Sequence, residues 1–156
     1  MALNDQGDQE EFSKARNKAF KLLSYRERTI SEMKTKLEKK DFSPAVIESV
    51  IDYLLAENYL NEARFAEMWI RSRVKHHPRG RRLIYKELSD KGLARELINQ
   101  ALNQHLSNET ETEMAVELKD KWLRRRKEET ESSYKLKNYL ASKGFTNNII
   151  FKVTKK

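Results

Sequence analysis

Between Arg71 and Arg82 the chain carries six cations (Arg71, Arg73, Lys75, Arg79, Arg81 and Arg82), two histidines and no carboxylate. A second cluster follows at Arg124, Arg125, Arg126 and Lys127. Cations gathered this way bind a phosphate backbone by releasing its condensed counterions, a sequence-blind attraction that salt weakens steeply. Arginine also pairs bidentately with carboxylates, so an acidic protein groove is an equally good partner. The bland alternative is a solvated face whose cations favour helix C-termini. An acid-free run in a chain with 24 carboxylates weighs against that alternative for the whole cluster.

Other chemistry finds no support. There is no Gly-x-x-x-x-Gly-Lys-Ser/Thr loop to cradle phosphates. His76 and His77 are adjacent and cannot both face one metal from a helix, and zinc-type ligand spacings are absent. His105 reads as a surface or boundary residue. Ser24 and Ser72 have no histidine and acid to activate them. Trp69 and Trp122 stand at core-like spacing and read as packing residues; Tyr85 follows an inward Ile84 and reads as partly exposed. The chain has no cysteine, so disulfides and thiolate metal sites are excluded. The expectation is a protein that is not an enzyme and needs no metal or cofactor.

The elements that must position the cations repeat along the chain. Leu37, Leu88 and Leu140 each precede a turn and a large apolar residue, Phe42, Leu93 or Phe145, with offsets of 51 and 52. Four positions earlier stand Met33, Ile84 and Leu136. After each turn come Val46–Ile47, Leu97–Ile98 and Ile149–Ile150, then Val50, Ala101 and Val153. Apolar residues at i, i+3 and i+4 mark helices, and a fixed period marks one unit copied along an array.

The fold expected is all-α: an elongated tandem array of three three-helix repeats, about nine helices. Residues 1–11 are expected to form a disordered lead-in, with repeats at 12–60, 61–106 and 107–156. The first helix is placed at about Ser13–Ser24. Thr29 and Glu32 form a capping box for the second. Ser43 caps the third, with Pro44 at its first position. Asn61 caps the next helix, and His76–Gly80 breaks the chain before the one after it. Ser107–Thr110 reads as a linker, with Thr110 and Glu113 as a further capping box. The last repeat's second helix is placed at about Glu131–Lys143. Gly92 and Gly144 suit left-handed helix ends; Asp41 occupies the matching position less comfortably.

The net charge of +8 is uneven. Residues 1–60 carry 10 basic and 11 acidic groups, residues 61–106 carry 10 and 5, and residues 107–156 carry 12 and 8. Equivalent positions in an array share an edge, so the two clusters are expected to form a basic ridge. No run of 18 apolar residues predicts a membrane span, and the polar N-terminus lacks a secretory h-region, so a cytoplasmic protein is expected; no exposed heptad seam suggests self-association, so a monomer is expected.

Three stretches carry a resemblance. Leu22-Leu23-Ser24-Tyr25-Arg26-Glu27-Arg28-Thr29, followed by Glu32-Met33 and Lys36-Leu37, resembles the opening motif of the bacterial RecX regulatory proteins. Tyr59-Leu60-Asn61-Glu62-Ala63-Arg64-Phe65-Ala66 is similar to their second motif, in which Asp is usual at the place of Asn61. Arg73, Gly80, Ile84, Glu87-Leu88 and Lys91-Gly92-Leu93 are similar to the third. The match spans roughly residues 16–156 and is weakest in the last repeat. It implies tandem three-helix units that bind in the groove of the RecA–DNA filament and inhibit its ATPase, strand exchange and growth. The implied partners are the RecA recombinase filament and single- and double-stranded DNA without sequence preference. A helical DNA-binding protein that competes for single-stranded DNA is the alternative reading, and a helical adaptor for another acidic partner is a third.

Overall fold

The computed structural model describes residues 5–126 and 133–155. Among them are nine helices and no strand: α1 (Gln6–Tyr25), α2 (Ile30–Lys39), α3 (Pro44–Ala56), α4 (Glu62–His76), α5 (Arg81–Asp90), α6 (Arg95–His105), α7 (Asn108–Arg125), α8 (Ser133–Ser142) and α9 (Asn147–Thr154). They group as tandem three-helix repeats. None of them is long and apolar enough to cross a membrane.

By contact the chain divides into two compact units. One takes in residues up to Phe65 together with Lys91–Leu93; the other takes in Ala66–Asp90 and residues from Ala94 onward. This division does not follow the expected repeat limits of 60 and 106. The first turn of α4 belongs with the first unit because Glu62 accepts a hydrogen bond from the Ile30 backbone N–H at the start of α2 (3.0 Å).

In the first unit, Ala15, Ala19 and Leu22 of α1 meet Met33 and Leu37 of α2 and Val46, Ile47, Val50, Ile51 and Leu54 of α3. The two alanines let α1 approach α3 closely, and the core follows the apolar stripe of the sequence. Truncating Leu37 to alanine in such a site costs on the order of 2–5 kcal/mol. The capping box forms as expected: Thr29 Oγ1 accepts from Glu32 N (3.0 Å), and the Glu32 carboxylate accepts from Thr29 N (3.1 Å). Ser43 accepts from Val46 N with Pro44 at the helix start. Asn61 Oδ1 accepts from Arg64 N at the start of α4 (3.0 Å). Asp41 takes a left-handed φ of 63° where the other repeats have Gly92 at 90° and Gly144 at 92°.

Two boundaries differ from expectation. The first helix starts at Gln6, so residues 6–11, expected to be a disordered lead-in, are helical. Asp5 caps them by accepting from Asp8 N (2.6 Å), and Glu11 accepts from Ser43 N (3.2 Å), which ties the added turns to α3. The expected linker Ser107–Thr110 is the start of α7. Ser107 is the cap, accepting from Thr110 N (3.1 Å), and Thr110 lies inside the helix. The expected start of the last repeat's second helix, at Glu131, lies outside the described residues.

The second unit is closed by a glycine junction. Gly80 N donates to Lys143 O (2.8 Å) and Arg82 N to Gly144 O (3.0 Å). A Cβ on Gly80 would collide with the Gly144 backbone, and one on Gly144 with Leu83. The turn before α5 and the turn after α8 therefore touch backbone to backbone, which only glycine permits. Ile84, Leu88, Leu136, Leu140, Phe145 and Ile150 are buried in this unit.

Candidate nucleic-acid interface

The last turns of α4, the turn at 77–80 and the start of α5 carry the first cation cluster. Its arginines fall into two kinds. Arg73 and Arg79 converge on one carboxylate, that of Glu87, two turns along α5. Arg73 Nε lies 3.1 Å from Glu87 Oε1, and Arg79 Nη1 pairs with Oε2. The Trp69 indole N–H donates to the same carboxylate (3.0 Å), and the Arg73 guanidinium lies 4.3 Å from the Trp69 ring centroid. Arg79 Nε also donates to His77 O (3.1 Å), so Glu87 fixes the turn through Arg79. Such charge-assisted bonds are about twice as strong as neutral ones.

Arg81 is held in a second such arrangement. Its backbone N–H and Nε donate to Glu111 (3.0 and 3.2 Å), and Nη2 donates to Leu106 O (3.2 Å). Glu111 is only 1% exposed and sits at the N-terminus of α5, where the helix dipole favours negative charge. This repeats the Glu62 contact at α2. In both places a glutamate from the first turn of the next repeat's first helix meets the first N–H of a second helix, and Ile30 and Arg81 are 51 residues apart, the sequence period.

The remaining cations face solvent. Arg71 is exposed and pairs with Glu67 one turn back (2.7 Å), a type of pair worth well under 1 kcal/mol. Lys75 and Arg82 are exposed, as are Arg124 and Arg125 at the end of α7. Arg126, also exposed, lies 4.5 Å from the Trp122 ring centroid, and Trp122 itself is buried. Lys127 lies outside the described residues. His105, half-buried, approaches Glu67 at 3.9 Å. Sequence reasoning took the whole Arg71–Arg82 run as one surface. Glu87 and Glu111, the carboxylates that neutralise half of it, both lie outside that run in the sequence. The described residues hold no group of acids and histidines that could take a metal.

Three-helix units repeated in tandem along the chain, with arginines and lysines exposed on them, define a class of all-α repeat protein. The comparisons make the class specific. The family model for the first three-helix domain of RecX matches residues 15–54, and that for the second three-helix domain matches residues 61–102. The regulatory protein RecX of Clostridioides difficile is 34% identical over 151 residues, covering 96% of this chain and 70% of that protein. That of Bacillus subtilis is 34% identical over 143 residues, and there the chain spans 54% of the relative; for Listeria welshimeri it spans 51%. The crystal structure of RecX from Lactobacillus salivarius superposes with a TM-score of 0.84 at 28% identity, covering 93% of this chain and 95% of that one. The chain belongs to the RecX family of regulatory proteins.

Proposed function

We propose that this chain is a cytoplasmic, monomeric regulator that lodges in the groove of RecA–DNA filaments and inhibits recombinase ATPase, strand exchange and filament growth. The observation that carries the reading is the set of exposed cations, Lys75, Arg82, Arg124 and Arg125, beside arginines Arg73, Arg79 and Arg81 that carboxylates of the fold already hold. Such cations meet the phosphates of the bound strand or carboxylates of the groove wall. A body occupying the groove excludes a second duplex, and one that binds a single filament state better than others shifts the population toward it. Family membership supports the same role. No catalytic step by this chain is involved.

The test follows ATP hydrolysis by preformed RecA filaments on single-stranded DNA as the protein is added. Inhibition at concentrations far below the number of DNA sites is the expected result. Inhibition that begins only as naked DNA becomes saturated would instead establish simple competition for the strand.

A further inference from the structure

The first unit carries a groove of opposite character to the cationic surface. Ile30, Lys34 and Glu38 of α2 are spaced i, i+4, i+8, and so are Ile47, Ile51 and Leu55 of α3; both stripes line one groove of about 810 Å³. Phe42 lines it too, from the turn between the helices. Ile47 and Ile51 at its floor are buried in the core, whereas Leu55, 40% exposed, and the half-buried Ile30 and Phe42 leave apolar surface in water.

The rim is acidic. Glu38, Asp41, Glu48 and Asp52 line the groove against one cation, Lys34. In a chain of net charge +8 this is a local reversal of sign. The unit does not lack lysines to neutralise it. Lys36 and Lys40 fall on the opposite side of α2 from Lys34 and Glu38, by the helical period. There they act with Lys21 on Lys18, whose pKa is lowered by desolvation first and then by the charges of Lys40, Lys21 and Lys36. The unit therefore segregates its charges, and the carboxylates on the apolar groove stay available.

We infer that this α2–α3 groove docks an amphipathic, lysine- or arginine-flanked helix of a partner protein. Carboxylates on the rim repel phosphate, so nucleic acid is the wrong occupant. Two helical walls with stripes at i, i+4 and i+8 receive the i, i+3, i+4, i+7 anchors of a third helix, the helix-in-groove mode of recognition. From Ile47 to Leu55 the stripe extends about 12 Å at 1.5 Å per residue, enough for two turns of the incoming helix. The inference goes beyond the filament reading, which uses only the cations.

The experiment uses the full chain without DNA or recombinase, so its failure leaves the filament reading untouched. The probe is a fluorescent 18-residue peptide of leucine and lysine with leucines at helical spacing; the control has the same composition scrambled. Such a peptide is repelled by the rest of this basic chain, so its binding reports the groove. The amphipathic peptide binds at least tenfold more tightly than the scramble. The Glu48→Lys/Asp52→Lys double variant, changed only at exposed positions, weakens it about tenfold with an unaltered melting temperature, and Leu55→Ser does the same. Equal binding of the scramble, or no effect of the double variant, overturns the inference. So does light scattering that shows a dimer dissolved by Leu55→Ser, because a second copy is then the occupant.

Discussion

The Glu32 carboxylate accepts from Thr29 N at 3.1 Å, pairs with Arg26 Nη2 at 2.6 Å and lies 3.7 Å from Lys91 Nζ. Burial alone would raise its pKa. The Arg26 hydrogen bond, the Thr29 N–H and the charges of Arg26 and Lys91 outweigh burial and hold it at about 2 against an ordinary 4.5. A depressed carboxylate stabilises the fold fully above its unfolded pKa and loses that contribution as pH falls through its folded one. The window here runs from about 4.5 down to about 2. Urea denaturation should therefore show Glu32→Gln less stable than wild type by about 1–2 kcal/mol at pH 7, a range that allows for solvent screening of a part-exposed group. The gap should close between pH 4.5 and 2. A gap independent of pH would mean that Glu32 acts through packing and not through its charge.

At the scale of elements, glycines at equivalent places carry unequal loads. Gly92 and Gly144 both take left-handed φ, but a Cβ on Gly92 would meet only Ser31 Cβ at an ordinary 3.6 Å, whereas one on Gly144 would collide with Leu83. Gly92→Ala should cost about 1–2 kcal/mol, the left-handed penalty alone. Gly144→Ala adds overpacking of a further 1–3 kcal/mol or so, and Gly80→Ala should suffer the collision without the φ penalty. Denaturant midpoints for the three variants test the order, and equal costs at 92 and 144 would deny the tight junction. The left-handed ends of α5 and α8 were legible in the sequence, as were the Thr29–Glu32 box and the Ser43–Pro44 start, because each is decided within a few residues. The Gly80–Gly144 contact, the Asp5 start of α1 and the roles of Glu62, Glu87 and Glu111 were not. Except for Asp5, these join residues from about 30 to 64 positions apart for the backbone and inter-helix contacts, or bridge two helices, as Glu87 does with Trp69 and Arg73, and no local pattern announces them.

For the molecule as a whole, the excess of charge says less than where each cation is spent. Arg73, Arg79 and Arg81 are held by Glu87 and Glu111 and belong to the fold; Arg82, Arg124 and Arg125 face water. Two triple variants separate the roles. Arg82→Gln/Arg124→Gln/Arg125→Gln should melt like wild type yet bind single-stranded DNA more weakly. Its slope of log affinity against log salt should flatten by about 2, since each phosphate contact on a single strand contributes roughly 0.7. Arg73→Gln/Arg79→Gln/Arg81→Gln removes the same formal charge but leaves Glu87 and Glu111 without their cations, and at the buried Glu111 an uncompensated charge costs on the order of 3–5 kcal/mol. It should lose stability first, and lose binding only as far as it unfolds. Were both triples to flatten the salt slope equally at unchanged stability, the division between structural and surface arginines would be wrong, and the ridge would act as a single cationic face.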